Sequence, residues 1–394
     1  MYRFNKIKQG ILIVSLATLI TGCGGGGSSS TTASTGTTGS YTSASTETSG
    51  SNFSPTTGST TITSVPSAKS VQSGQVKDSS TGEGLENVKV SIGSQTATTN
   101  ADGFYTLSDL AETEAAVVTF EKDGYLLGST NIQLKSFSED NTVSTNYLEY
   151  TMHAKNHQWD YNSNDEVAGA HIIIDASVSY ESINRKSYTG TNTAELIYFD
   201  ITSDEGKGAF PGAFKGINTN GTMVQFETYG LISILVKDSN GNNLHLADNE
   251  TATLLFDAVS SLEKPDTLPL WYYDYDQGVW FEEGYAQLQD DGSYKGEISH
   301  FGTWSVNRPL EEETGIYRGR IIDKDRSPIS DVRLQALGEN WISSDLSTDE
   351  DGVFEIEVIP GKSFKLAAYN YKDKYKASYN NTINAIASGD IVED

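Results

Sequence analysis

The sequence predicts an all-β fold, with tandem β-sandwich modules that follow an N-terminal signal and a disordered linker. Three observations lead to this prediction. Short runs of alternating apolar and polar residues, separated by Asp-Gly and Asn-Gly turn signals, fill most of the chain after residue 73. No segment keeps the 3.6-residue period of an amphipathic helix for three turns. A nine-residue block that begins at Thr99 returns without a gap at Thr348, which indicates a repeated unit.

Length and charge limit the classes of partner. The 394 residues leave room for two or three domains, and 53 Asp and Glu residues against 27 Lys and Arg residues give a formal net charge of −26. This excess of negative charge argues against nucleic acid and anionic membrane surfaces as partners. Calcium, basic surfaces and neutral glycans stay open as partners, although a solvated acidic surface is the plainer explanation.

The N-terminus has the pattern of an export signal. Three cations stand within the first eight residues, and residues 11–20 form an apolar run that is too short to cross a bilayer comfortably. The segment Ile20-Thr21-Gly22 then leads into Cys23, the single cysteine of the chain, so no intramolecular disulfide can form. The small residues before the cysteine give a peptidase access to the backbone. An ordinary signal peptide is the alternative interpretation.

This segment resembles the lipobox of bacterial lipoproteins. The resemblance implies that residues 1–22 are a signal peptide and that the thiol of Cys23 carries the lipid, so the chain would meet the membrane through an anchor. Gly24 stands where the inner-membrane retention signal of this family has Asp. We therefore expect an outer-membrane location, on the periplasmic or the extracellular face.

Residues 23–72 are predicted to be the acylated cysteine followed by a disordered tether. Almost all of them are Gly, Ser and Thr, which offer too little apolar surface to form a core. A flexible coil of this length would hold the folded part about 40 Å from the lipid.

Residues 73–136 and 313–394 are predicted to be two copies of one module. In each copy an Asp-Gly pair, 102–103 or 351–352, supplies the left-handed backbone of a tight hairpin turn, and we expect Phe104 or Phe354 to pack inward on the returning strand. Both copies resemble the carboxypeptidase regulatory-like domain, which implies a transthyretin-like, seven-stranded sandwich. The family's module has no peptidase residues, and nothing in this chain resembles the zinc-binding catalytic domain.

Residues 137–312 are predicted to be a central β domain. Apolar runs such as 171–176 (HIIIDA) and 252–258 (ATLLFDA) alternate with turns. The segments LPLW from residue 268, GVW from residue 278 and SHFGTW from residue 299 resemble, in the expected order, the β domain of cartilage intermediate layer proteins and bacterial surface proteins.

The segment His300-Phe301-Gly302 bears on self-cleavage. Some relatives of this β domain cleave themselves at His-Phe-Ser, where the hydroxyl of the third residue attacks the preceding carbonyl. The third residue here is Gly302, which has no side chain, and Thr303 would face the opposite side of a strand. We therefore expect no self-cleavage.

Metal binding has weak candidates in two loops. Asp274 and Asp276 could bind calcium, but the segment 274–278 (DYDQG) fits a hairpin turn as well. Asp160, Asn162 and Asn164 alternate as in a calcium loop, without the Gly and Glu that such a loop needs at its sixth and twelfth positions. The pair of His153 and His157 would share one face only on a helix, which the pattern does not favour. We expect no cofactor, with calcium as the open alternative.

The aromatic stretch 271–285 is the remaining candidate for a binding site. Trp271, Tyr273, Trp280 and Tyr285 could form a stacking platform for sugar rings, whereas core packing and contacts between domains are the plainer alternative. With no catalytic motif in view, we expect a non-enzymatic cell-surface protein with a structural, adhesive or ligand-presenting role. The alternative is a carbohydrate-binding surface protein, and the expected partners are a polysaccharide or another surface protein.

Overall fold

The structure is a computed structural model of the 394-residue chain. It describes residues 12–13, 70–134, 145–155, 157–169, 171–259, 261–310, 312–330, 332–343, 346–370 and 375–393, all of which belong to one compact unit. Cys23 and the predicted tether lie outside the described residues. The fold is all-β, as predicted, with one six-residue helix in the described part of the chain. None of the described helical residues forms a helix that is long and apolar enough to cross a membrane.

The first module is a sandwich of seven strands. After a two-residue strand in the predicted signal segment, β1 (Leu12–Ile13), its strands are β2 (Ser70–Asp78), β3 (Lys89–Ile92), β4 (Gln95–Thr98), β5 (Phe104–Leu110), β6 (Thr113–Glu121), β7 (Gly128–Leu134) and β8 (Thr145–Met152). One sheet has the order β5-β2-β8 and the other the order β4-β3-β6-β7. Their inner faces bury Val76, Tyr105, Val118 and Phe120 in a common core.

The predicted end of this module at residue 136 is wrong. Strand β8 runs parallel to β2 over eight residue pairs, from Val71 with Thr145 to Asp78 with Met152, and it buries Leu148 and Met152 in the same core. The module therefore extends through Met152, and the central domain begins after it. A parallel partner more than 70 residues away leaves no turn signal in the sequence, because parallel strands require a long connection.

The third module has the same architecture as the first. Its strands are β23 (Gly315–Ile322), β24 (Arg333–Leu337), β25 (Leu346–Ser347), β26 (Val353–Val358), β27 (Phe364–Asn370), β28 (Tyr375–Ile383) and β29 (Ile391–Glu393). One sheet places β23 between β26 and β29, and the other has the order β25-β24-β27-β28. Strand β1 also pairs with β23, with Leu12 opposite Ile322.

The repeated hairpin is built in the same way in both modules. Gly103 and Gly352 have φ angles of +79° and +73°, and each donates its amide hydrogen bond within the turn to the residue three positions earlier. Thr99 accepts a hydrogen bond from the amide of Val88 at 2.8 Å, and Thr348 accepts one from Val332 at 3.0 Å. The gapless repeat in the sequence is therefore a repeat of hydrogen bonds.

The expected inward packing is correct for Phe354 and wrong for Phe104. Phe354 is buried, whereas Phe104 is 44% exposed and its neighbour Tyr105 points into the core. In the gapless alignment Phe354 corresponds to Tyr105, and Phe104 corresponds to the half-buried Val353. Since successive side chains of a strand face opposite sides, a shift of one residue exchanges the two faces.

The central domain is built on one large sheet. Its elements are β9 (His157–Asn162), β10 (Val167–Ala168), β11 (Ile172–Ile174), β12 (Tyr180–Ser182), β13 (Ser187–Tyr188), β14 (Thr191–Phe199), α1 (Asp204–Ala209), β15 (Lys215–Ile217), β16 (Met223–Asp238), β17 (Leu244–Leu246), β18 (Ala252–Phe256), β19 (Thr267–Asp274), β20 (Val279–Leu288), β21 (Tyr294–Ile298) and β22 (Gly302–Pro309). Eleven strands form the sheet in the order β10-β11-β18-β21-β20-β19-β22-β16-β14-β9, with β15 beside β16 and β20. Strands β13, β12 and β17 form a separate small sheet.

Both faces of the middle of this sheet are covered. One face of the sheet encloses a core. Residues from both ends of the sheet and from the small sheet contribute to this core, among them Ile172, Leu196, Leu246 and Leu270. The opposite face packs under the segment that contains α1. Strands β16, β19 and β22 therefore bury residues on both sides, which explains the unbroken runs of buried residues in β16 and β22.

Candidate functional site

The aromatic candidates lie on the hairpin of β19 and β20, at the centre of the large sheet. These strands pair in antiparallel register, with Tyr273 opposite Trp280, and a bulge between Pro269 and Trp271 shifts the register. Leu268 and Leu270 face the core enclosed by the sheet, while Trp271 and Tyr273 face the other side. The hairpin therefore separates two cores.

Three of the four residues expected to bind a ligand are buried. Trp271, Tyr273 and Trp280 are fully inaccessible to solvent, and only Tyr285, which is 57% exposed, could touch a sugar ring. The ring of Trp280 lies 4.6 Å from that of Phe210, and the ring of Trp271 lies 5.0 Å from that of Phe226. For these three residues the structure shows the plainer of the two alternatives, core packing, because their rings pack against residues of the protein itself.

The tip of the hairpin contacts the first module. The hydroxyl groups of Tyr273 and Ser129 are 3.0 Å apart, and the amide of Asn131 donates a hydrogen bond of 3.0 Å to the carbonyl of Gly278. Burial raises the pKa of Tyr273 to about 12, so its hydroxyl stays protonated at neutral pH. The hairpin thus connects the central domain to the first module by polar contacts.

The same hairpin also joins the central domain to the third module. Trp271 and Trp280 belong to the same continuous cluster of buried residues as Tyr317, Trp341 and Phe354. Beside that cluster, the side-chain amide of Asn340 donates a hydrogen bond to the backbone carbonyl of Thr228 at 3.1 Å, and the backbone carbonyl of Asn340 accepts one from the Thr228 amide at 3.2 Å. This reciprocal pair sits at the bulge of β16, where the ladder with β22 is interrupted.

A charge cluster around one buried carboxylate reinforces this second junction. Glu227 on β16 is 1% exposed and contacts the guanidinium group of Arg308 on β22 and, at 3.2 Å, the ammonium group of Lys362 of the third module. Removing one partner of a buried ion pair is strongly destabilising, since the remaining charge is left in a poorly solvated site. No sequence pattern indicates this cluster, because its three members are far apart along the chain.

The first calcium candidate is used as a hairpin turn. One carboxylate oxygen of Asp274 accepts hydrogen bonds from the amides of Asp276 and Gln277 at 2.8 and 3.0 Å, and the other accepts one from the Gln277 side chain. Gly278 completes the turn with a φ of +65°. These bonds hold the pKa of Asp274 below its usual value, against the opposing effect of its partial burial. Turn formation explains the Asp and Gly residues here.

The polar residues of the second calcium candidate also form hydrogen bonds within the protein. Asp160 accepts from the Thr193 hydroxyl at 2.7 Å, and Asn162 donates to Asp165 at 2.9 Å, while Asn164 lies in the following turn. His153 directly follows strand β8, and His157 is the first residue of strand β9, so neither lies on a helix. Across the described ranges, no group of three or more His, Cys, Asp or Glu residues is arranged to hold a metal ion.

His300 contacts an acid through one ring nitrogen and the carbonyl of Phe301, at 3.4 Å from Nδ1, through the other. Its Nε2 is 3.1 Å from Glu283, which also accepts a hydrogen bond from Ser299 at 2.8 Å. The bond with His300 lowers the pKa of Glu283. Thr303 is buried and bonds to Ser233 and Tyr275 at 3.0 Å. Gly302 itself offers no hydroxyl beside the Phe301 carbonyl, and the Thr303 hydroxyl is engaged elsewhere.

One cleft was not anticipated from the sequence. It lies between the end of the first module and the start of α1, and its lining includes Ser79, His153, Asp200 and Glu205. His153 was considered only as a zinc ligand on a helix. No pattern in the sequence could join it to Glu205, which is 52 residues away.

Comparison with known proteins identifies one module. The family model of the carboxypeptidase regulatory-like domain matches residues 73–145, which confirms the resemblance for the first module. No curated protein matches the sequence.

The similar solved structures are remote. A cohesin-X-dockerin complex chain from Acetivibrio cellulolyticus has 18% identity over 22% of this chain and 58% of its own, with a TM-score of 0.17. The Bacillus anthracis TIE protein has 11% identity over 83% of this chain and 50% of its own, with a TM-score of 0.20. BcpA, the major pilin subunit of Bacillus cereus, has 10% identity over 82% of this chain and 97% of its own, with a TM-score of 0.20. At this distance the similarities carry no argument about function. The chain thus spans only about half to three fifths of the first two structures.

Proposed function

We propose that the chain is a non-catalytic structural protein of the bacterial cell surface, anchored to the outer membrane by a lipid on Cys23. Its three β modules would act as one stiff body that the tether holds away from the membrane, for adhesion or for presenting a binding surface. The partner would be a polysaccharide or another surface protein.

One observation carries the structural part of this proposal. The aromatic and polar side chains that best resembled a site in the sequence are the ones that join the modules: Tyr273 contacts Ser129, and Trp271 and Trp280 lie in the core shared with the third module. A continuous core across a module boundary opposes bending there, because separating the modules would expose it to water.

The anchoring part rests on the sequence around Cys23. Metabolic labelling with an alkyne-bearing palmitate, followed by density-gradient separation of the two membranes, tests it. We expect a labelled wild-type chain in the outer-membrane fraction and no label on Cys23→Ser, since the chain has one cysteine. Gly24→Asp should keep the label and move to the inner membrane. An unlabelled wild-type chain, or a labelled Cys23→Ser chain, would overturn the proposal.

The adhesive role is tested by cell attachment. Cells that carry the wild-type chain should attach to a glycan-coated or protein-coated surface better than cells that carry Cys23→Ser, which makes the same modules without the anchor. Equal attachment on every surface would contradict this role. Carbohydrate binding by the stretch 271–285 is not proposed, since Tyr285 alone of its four candidates is exposed.

A further inference from the structure

Strand β23 of the third module is paired along only part of one edge. On that edge, β29 covers residues 316–318. In the first module, β8 covers the equivalent strand β2 along residues 71–78. Among the described residues, only those of β1 pair with the rest of this edge, residues 319–322. Strand β1 lies in the predicted signal peptide, so removal of residues 1–22, on which this inference rests, takes that pairing away.

The backbone groups that face the open edge are those of Arg320 and Ile322. The amide of Ile321 donates to the carbonyl of Gly352, and the carbonyl of Ile321 accepts from the amide of Ile329, so both groups of Ile321 face the side of β26. Since the hydrogen-bonding groups of successive strand residues alternate between the two edges, those of Arg320 and Ile322 face the other side. Unpaired amide and carbonyl groups on a strand edge form a template for another strand.

Apolar side chains lie beside this gap. Ile391 and Val392 of β29 are 53% and 41% exposed, and Ile322 of β23 is half-buried. The side chain of Arg320 donates from Nε to the carbonyl of Asp351, in the turn before β26, so it leans away from the open edge. Edge strands that avoid other chains usually carry charged residues or proline. Neighbouring Ile and Val side chains instead indicate a surface that a partner covers.

We propose that this edge of β23 binds an extended apolar segment of a separate protein, which adds a strand to the sheet. Strand β1 shows which segment fits, because it is apolar and pairs in antiparallel register, with Leu12 opposite Ile322 and Ile13 opposite Ile321. A second copy of this chain is disfavoured as the partner, since each copy has a formal net charge of −26. The proposal specifies the surface-protein partner of the proposed function as a strand donor.

Fluorescence anisotropy with a labelled peptide of residues 6–14 (KIKQGILIV) tests this site on the mature polypeptide, residues 23–394 with Cys23→Ser. Two N-methylated peptides of equal composition and charge serve as a matched pair. The amide of Leu12 faces Ile322, so methylation there removes a hydrogen bond and should weaken binding at least about tenfold. The amide of Ile13 faces away from β23, so its methylation should keep the affinity within about twofold of that of the unmodified peptide.

Hydrogen exchange of the same polypeptide locates the bound peptide. The amides of Arg320 and Ile322 should exchange more slowly in its presence, whereas those of β2, which lies between β5 and β8, should not change. Absence of saturable binding, equal affinities of the two methylated peptides, or slowing elsewhere without slowing at these two amides would overturn the proposal. Slowing at these amides on dimerisation without peptide would overturn it in favour of a second copy. None of these results depends on lipid labelling of Cys23, so failure of the anchor and failure of this site are distinguishable.

Discussion

The first and third modules have the same strand order but differ at one sheet edge. In the first module, β8 covers β2 along eight residue pairs. In the third module, β29 covers β23 only from Ile316 to Arg318. Strand β1, which pairs with Ile321 and Ile322, lies in the predicted signal peptide. An uncovered strand edge exposes amide and carbonyl groups to other chains. The comparison shows that the hairpins and cores of the repeat are retained, while the edge strand is the part that varies.

A second difference between the two modules lies at the C-terminal end of β2 and of its equivalent, β23. Asp78 accepts hydrogen bonds from the hydroxyls of Ser80 and Tyr125 at 2.5 and 2.6 Å. The corresponding Asp323 of the third module accepts from the amides of Asp325 and Ser327. The first module therefore has a side-chain network where the third module has a simple turn.

The largest expected effect on stability concerns the core position that Tyr105 and Phe354 occupy in the two repeats. Tyr105→Ala and Phe354→Ala should each lower the free energy of unfolding by about 3–5 kcal/mol, because both truncate a buried aromatic ring. Phe104→Ala is the matched control and should cost much less, since Phe104 faces solvent. Chemical denaturation of the full chain measures the change. A large effect of Phe104→Ala would break the alignment of the two repeats.

The hairpin glycines should give the next largest effect. Gly103→Ala and Gly352→Ala should each cost about 1–3 kcal/mol, because both positions have positive φ and an added Cβ would lie 2.2 Å from the Val76 carbonyl or 2.4 Å from that of Ile321. Gly82→Ala has a similar φ but open space around the new Cβ, so it isolates the backbone contribution. Unequal losses at Gly103 and Gly352, measured by denaturation, would show that the two turns are not equivalent.

The smallest expected effect is a difference between the two modules in how the stability contributed by Asp78 and by Asp323 depends on pH. Hydrogen bonds from Ser80 and Tyr125 hold the pKa of Asp78 well below its usual value of 3.8, so its contribution is present above that value and is lost as the pH falls through the lower, folded-state pKa. Asp78→Asn should therefore cost about 1–3 kcal/mol at pH 7 and progressively less below pH 3.8. Asp323→Asn should cost less at neutral pH. Thermal unfolding from pH 2 to 7 checks both variants, and a pH-independent loss at Asp78 would contradict this explanation.

The sequence predicted what local chemistry determines. The Asp-Gly hairpins, the repeat and the turn at Asp274 follow from residues close together in the chain. The sequence does not show which side of its strand Phe104 occupies, because Phe104 and Tyr105 are both aromatic and only the strand register decides which of them faces the core. Strand β8 has no local signal because its partner is distant. For Trp271 and Trp280 the sequence leaves a surface platform and core packing open, because the core that covers them is built from residues far away in the chain. Contacts between modules, including Asn340 with Thr228, leave no pattern that a single sequence shows.

The central claim is that the central domain and the third module share one core and unfold together. Hydrogen exchange of the full chain carrying Trp341→Ala tests it most directly, with the exposed Tyr285→Ala as control. Trp341 is 2% exposed and adjoins Asn340, so the variant should cost about 3–5 kcal/mol. We predict that amide protection falls together in β24 and β27 of the third module and in β16 and β22 of the central domain. A loss of protection confined to the third module would contradict the shared core.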